Sequence, residues 1–248
     1  MFKEYGPLST MMYQKTKAVG QSLDGDIEYY YDFLQDVKGS ILEAGVGTGR
    51  VLIPLLEKGL NVEGVDVSED MLSQCKKNME AYSVSTFVYQ QDLFDLSLNQ
   101  EYEAIIMPTG SFCLLEKDRI EKVLKGFYHC LSCKGKVILD LIVPNDFKKG
   151  KITQSKIDIS NTETIIYTHY DESIDWISQQ TTSIDKYELI NEGKVVETEY
   201  SHFTLYWYGL KEFEWLIQSL GFKLIKYDDG YNRGVPGIVT AILEKQEE

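Results

Sequence analysis

Chemistry-bearing residues are most concentrated in Glu43-Ala44-Gly45-Val46-Gly47-Thr48-Gly49-Arg50. Glycines at every second position let the backbone turn tightly and approach a ligand, because no Cβ obstructs positive φ. The run lies between an apolar strand-like segment, Ser40-Ile41-Leu42, and a helix-like one from Arg50 to Leu56. A helix N-terminus behind such a loop offers free N–H groups and partial positive charge, which suits a ligand carrying a carboxylate or phosphate. The spacing is G-x-G-x-G, not the G-x-G-x-x-G of dinucleotide sites. A second acid, Asp66, ends the strand-like run Asn61–Asp66, where a ribose-binding carboxylate is expected.

A third acid, Asp92, follows another apolar run in Gln91-Asp92-Leu93; an Asp there also serves as a turn former or N-cap. Of three histidines, His129 ends a helix-like run, while His169 and His202 fall in a strand-rich segment. Histidine titrates near neutrality and is a candidate base; His202 is preferred because it precedes the aromatic run Phe203–Tyr208. Cys130 and Cys133 form a C-x-x-C without a second cysteine pair or nearby histidines, so no zinc site is expected. The many tyrosines of the strand-rich segment suit thin β packing, with recognition of a cation over a ring face as the functional alternative.

These residues need elements to position them. Strand-like runs at 40–44, 61–66, 86–90, 102–107 and 136–142 alternate with helix-like runs at 48–58, 68–81 and 116–131. Ser68 is placed to cap the second of these helices, with Glu69 and Asp70 in its first turn. Repeated β-α-β with apolar strands predicts a parallel sheet with helices on both faces. From about 150 to 208 the pattern changes to alternating strands rich in Thr, Ile and Tyr, with a turn at Asn191-Glu192-Gly193. Three or four antiparallel strands are expected there. A helix at 210–220 ending at Gly221 and two strands, 222–228 and 237–244, close the chain. Residues 1–24 read as an irregular arm or short helix.

The combination E-x-G-x-G-x-G, then G-V-D-x-S-x-x-M-L, then Gln91-Asp92-Leu93, resembles the class I S-adenosylmethionine-dependent methyltransferases. The likeness covers roughly residues 25–143, with a weaker one at the C-terminus. It implies an α/β fold: a Rossmann-like seven-stranded sheet, helices on both faces, its last strand antiparallel, plus an inserted antiparallel β lid. The corresponding division is 1–148 with 209–248 as the cofactor-binding domain and 149–208 as the substrate lid. The resemblance assigns Glu43 to the cofactor's amino group and Gly45, Gly47 and Gly49 to its methionine part and ribose. It assigns Asp66 to the ribose hydroxyls, Val67 and Met71 to the adenine faces, Asp92 to the adenine amino group and Leu93 to the ring edge. Thr109 would lie near the transferred methyl, and Tyr13, in the N-terminal arm, would fold over the cofactor. Tyr13 and His202 are thus the catalytic candidates. Two departures from the commoner pattern stand out: Glu43 replaces an Asp, and Thr109-Gly110-Ser111-Phe112 replaces an Asn-Ser-Phe-like run.

Composition narrows the acceptor. The 248 residues include 25 Lys and Arg against 39 Asp and Glu, a formal net charge of −14, which disfavours nucleic acid. No apolar run is long enough for a membrane span, and the N-terminus lacks a signal-like apolar core, so a cytoplasmic monomer or homodimer is expected. The expected activity is methyl transfer from S-adenosylmethionine to an N or O atom of a small-molecule acceptor. The alternatives are a protein methyltransferase, for which the acidic charge suits a basic target, and a non-catalytic cofactor-binding subunit. A nicotinamide dehydrogenase is weakest, since the glycine spacing differs and Gln91-Asp92 would have no role.

Overall fold

The computed structural model describes residues 5–246. Its first part runs α1 (Pro7–Thr16), α2 (Asp26–Leu34), β1 (Ile41–Ala44), α3 (Leu52–Glu57), β2 (Val62–Asp66), α4 (Glu69–Ala81), β3 (Val88–Gln90), β4 (Tyr102–Met107), α5 (Ile120–Cys130) and β5 (Leu131–Ile142). Four long strands follow, β6 (Ile152–Asp158), β7 (Glu163–Asp175), β8 (Gln180–Asn191) and β9 (Lys194–Tyr206), then α6 (Leu210–Ser219), β10 (Phe222–Asp229) and β11 (Ile238–Lys245).

Seven strands form one sheet in the order β10-β11-β5-β4-β1-β2-β3. The pairs among β1 to β5 are parallel, and β11 is antiparallel to both β5 and β10. Period-two alternation sends successive residues to opposite faces. Leu42, Ile105, Val137 and Leu139 pack with Val123, Phe127, Phe213 and Ile217 of α5 and α6. Ile41, Ala104, Ile106 and Ile138 pack with Tyr30, Leu34, Ile53, Leu72 and Cys75 of α2, α3 and α4. Every residue of β1 is buried, as a central parallel strand covered on both faces requires. The expected fold is therefore present, including the antiparallel last strand.

β6, β7, β8 and β9 form a second, antiparallel sheet in chain order. The β8–β9 turn has Glu192 at φ 49 and Gly193 at φ 77, the left-handed pair that a two-residue hairpin turn needs. One face of this sheet packs Ile165, Tyr187 and Leu189 against Leu8 of α1. The N-terminal segment is therefore helical from Pro7, and its helix leans on the second sheet. β5 starts at Leu131, earlier than the expected Lys136, because β4 pairs with it from Tyr102↔Leu131 onward. Ser68 Oγ accepts from the Met71 amide at 3.2 Å, capping α4 as its sequence position predicts.

Candidate functional site

The loop after β1 is built on three left-handed glycines, Gly45 at φ 76, Gly47 at φ 54 and Gly49 at φ 81. Side chains other than glycine rarely adopt this conformation, so the alternating glycines are a backbone requirement. A Cβ added at Gly47 would meet nothing within 4 Å, so that backbone borders open space. Asp66, at the end of β2, accepts from the Gly47 amide at 2.8 Å and the Ser68 amide at 2.9 Å. It thereby fixes both the glycine loop and the start of α4. Burial raises the Asp66 pKa, and its bonds from Ser68, Gly47 and Val67 pull the other way.

Glu43 is buried, and its Oε2 has no hydrogen-bond partner among the described residues. Burial pushes its pKa up to about 8 against the opposing pull of Arg50. A buried carboxyl oxygen with nothing to accept from is costly unless a ligand supplies the donor. Beside it, Arg50 pairs with Asp26 at 2.5 Å, both buried, and donates to the Gln21 carbonyl at 2.9 Å. The Tyr13 hydroxyl lies against this group: burial raises its pKa, and the neighbouring Arg50 partly offsets that. Lys17 stands over the Tyr13 ring at 4.9 Å.

The other expected cofactor residues lie at the same carboxyl edge of the parallel strands, where open α/β sheets bind ligands. Val67 is 61% exposed and Met71 is 2% exposed, an open and a closed apolar contact on either side of the α4 start. The Gln91 amide bonds the Asp66 carbonyl at 3.1 Å, tying the end of β3 to Asp66. Asp92 is exposed and caps a short turn, accepting from the Phe94 amide at 2.9 Å, and Leu93 is buried beneath it. Thr109 stands at the end of β4 in the left-handed region, φ 55, followed by Gly110 at φ 75.

The two insertion histidines lie on opposite faces of the second sheet. His169 faces Asp185 across β7 and β8, and Asp185 faces Ser201 on β9, so these three share a face. That face also carries Tyr167, Glu199 and Phe203, and it holds α1: the Tyr5 ring lies 5.4 Å from Phe203 and 6.2 Å from Tyr13. His202 faces Ile184, one residue out of step, and its Nε2 bonds Glu172 at 3.2 Å. Strand alternation places His202 on the face opposite the one that carries α1 and Tyr13. His169 is on the α1 side, but both its nitrogens are engaged, Nδ1 with Asp185 at 2.6 Å and Nε2 with Asp171 at 3.0 Å. The bond to Asp185 raises its pKa, burial opposes this, and Asp171 adds to the rise. An acid at each ring nitrogen favours its charged form and leaves neither nitrogen open to a substrate. His129 bonds the Lys125 carbonyl at 2.6 Å at the end of α5.

Sequence reasoning missed the contacts that hold α1. Glu199 of β9 accepts from the Leu8 amide at 2.7 Å, the Ser9 amide at 3.1 Å and the Ser9 hydroxyl at 2.6 Å. On the other side, Asn78 of α4 exchanges bonds with Gln14 and donates to the Thr48 carbonyl of the glycine loop at 2.9 Å. The arm is thus bonded to both the second sheet and the loop. Glu199 lies in a run of exposed strand residues, so no local pattern marked it.

Residues 41–135 match the family described as a methyltransferase domain. A putative methyltransferase of Geobacillus sp. (strain WCH70) is 31% identical over 128 residues, covering 51% of this chain and 51% of the relative. The match thus spans about half the length of that curated relative. Among solved structures, a sugar N-methyltransferase from Streptoalloteichus sp. superimposes with a TM-score of 0.80 at 17% identity, over 100% of this chain and 96% of that one. An amino pentose methyltransferase from Micromonospora echinaspora, solved with S-adenosylmethionine bound, gives 0.72 at 13% identity, over 99% and 100%. At those identities the two structures are likenesses of fold.

Proposed function

We propose that the chain, whose residues 41–135 match a methyltransferase domain, is a class I S-adenosylmethionine-dependent methyltransferase that methylates an N or O atom of a small-molecule acceptor. The cofactor fits the residues present. The orphaned Oε2 of Glu43 suits an ammonium donor, and the open backbone at Gly47 admits a ligand that a side chain would exclude. Asp66 accepts from the Gly47 amide on one oxygen and the Ser68 amide on the other, and its carboxylate is the acceptor for the ribose hydroxyls. Gly45 and Gly49 complete the loop, Val67, Met71 and Leu93 supply apolar walls, and Asp92 accepts from the adenine amino group. Thr109 borders the reacting end.

When bound, the cofactor would supply an electrophilic methyl group, transferred in line to the acceptor's lone pair as the S–CH3 bond breaks and S-adenosylhomocysteine departs. The protein's share is alignment and exclusion of water, and alignment contributes about 7–11 kcal/mol. Tyr13 is the proposed positioning group over the reacting end, held by Arg50. His202 has no proton-transfer role in this scheme, because it faces away and pairs with Glu172.

One observation carries the small-molecule reading: α1 is bonded to the second sheet through Glu199 and to the glycine loop through Asn78. In this reading the segment at 149–208 is a lid over the reacting end, which favours a small acceptor over a macromolecule. The likeness in fold to sugar and amino pentose methyltransferases supports amine-bearing small acceptors. The test is to incubate the protein with S-adenosylmethionine and panels of amines, amino sugars and hydroxylated metabolites, and to measure S-adenosylhomocysteine. Turnover of a small acceptor is expected. Turnover of basic proteins alone would instead establish the protein-methyltransferase alternative, for which the net charge of −14 provides the argument.

A further inference from the structure

Asp140 stands in the middle of β5 between Leu139 and Leu141 and is fully buried. A lone acid in an apolar strand needs donors. Oδ2 accepts from the Thr109 amide at 2.6 Å and the Tyr231 hydroxyl at 2.8 Å; Oδ1 accepts from the Thr240 hydroxyl at 2.7 Å. Thr109 and Tyr231 are both in left-handed backbone, at φ 55 and φ 57. A β-branched residue in that region is a steric outlier, and it persists only where its surroundings hold it. The corner it makes brings Ser111 onto the glycine loop: a Cβ at Gly45 would stand 3.4 Å from the Ser111 Cβ. The same corner precedes Gly110, where φ is 75 and any side chain would collide with Ile142.

We propose that Asp140 is a positioning residue for the cofactor site: its carboxylate pins the left-handed Thr109–Gly110 corner against the glycine loop. Through Tyr231 it ties that corner to the turn between β10 and β11. The inference rests on the cofactor-binding role proposed for the loop. Asparagine can keep the arrangement, because its amide oxygen accepts from Thr109 and Tyr231 while its NH2 donates to the Thr240 hydroxyl. Alanine leaves the Thr109 amide without a partner in the core. Glycine at 109 needs no pin, because it adopts positive φ freely.

The test compares Asp140→Ala, Asp140→Asn, Thr109→Gly and the double variant Asp140→Ala with Thr109→Gly, by S-adenosylhomocysteine titration and by denaturant unfolding. Asp140→Ala is expected to weaken binding about tenfold, and Asp140→Asn by less than about threefold. In the Thr109→Gly background the added effect of Asp140→Ala should shrink to below about threefold, with matching non-additivity in stability. Should Asp140→Ala not fold, Tyr231→Phe removes one bond to the carboxylate without opening the core and should weaken binding about threefold. Equal losses in both backgrounds, or unchanged binding in Asp140→Ala or Tyr231→Phe, would overturn the proposal. If the wild-type chain itself binds no S-adenosylhomocysteine, the cofactor reading fails, and the positioning role with it. The unfolding cycle then still decides the pin: coupling between positions 109 and 140 supports it, and additivity overturns it.

Discussion

Glu43 carries a prediction that separates ligand binding from simple burial. Its pKa of about 8 in the free protein means that most of its population is protonated at neutral pH. An ammonium placed against Oε2 favours the carboxylate and lowers that pKa. Binding of S-adenosylhomocysteine at about pH 7 should therefore release close to one proton to the buffer. Calorimetry in buffers of different ionisation enthalpy reads that number directly, and Glu43→Gln should abolish it. Proton release unchanged by the substitution would place the ammonium elsewhere. This residue was legible in the sequence because an acid directly before a glycine loop has few structural reasons to be there. Asp140 was not, although an acid inside Val137-Ile-Leu-Asp-Leu-Ile142 was visible, because its three donors come from residues 31, 91 and 100 positions away. The face that His202 occupies was not legible for a related reason: composition finds a histidine, but only the pairing register decides which side of a strand it takes.

At the scale of elements, α1 is one of the pieces whose docking joins the two sheets. Two amides at its N-terminus and the Ser9 hydroxyl all bond Glu199, a carboxylate at the positive end of a helix. Glu199→Gln should lower unfolding stability by about 1 kcal/mol and speed hydrogen exchange in α1 more than in α4. If α1 also closes the site, S-adenosylhomocysteine affinity falls alongside. Exchange rates in α1 equal to wild type would show that the carboxylate does not hold the helix. The parallel strands and their helices were readable from periodicity alone, since each buries a continuous apolar run or one apolar stripe. At Pro7–Thr16 a short helix was one of two readings, beside an irregular arm, because its stabilising contacts lie in β9 and α4 and its own apolar pattern is weak.

For the whole molecule, the buried ionisable groups set a common direction of pH dependence. Glu43 rises from 4.5 to about 8 and Asp140 from 3.8 to about 6, both chiefly through burial. The bond to Asp185 raises His169 above 6.5. A folded pKa above the unfolded one contributes stability that is complete below the unfolded value and is lost as pH rises through the folded value. All three groups have this sign, so the ligand-free protein should lose stability between about pH 4 and pH 8. Thermal melts across that range should show Tm falling with pH, with a shallower slope in Glu43→Gln. A flat or rising Tm would contradict the burial assigned to these acids. Saturating S-adenosylhomocysteine should reduce the slope, because it stabilises the ionised Glu43.

The central claim is that the loop after β1, with Asp66, binds S-adenosylmethionine. It is tested most directly by calorimetric titration of the purified protein with S-adenosylmethionine and S-adenosylhomocysteine, beside Asp66→Ala and an NAD control. Micromolar binding of both sulfur compounds, lost in Asp66→Ala and absent for NAD, is the predicted result. Failure of a folded wild-type protein to bind either compound, or equal binding by Asp66→Ala, would contradict it.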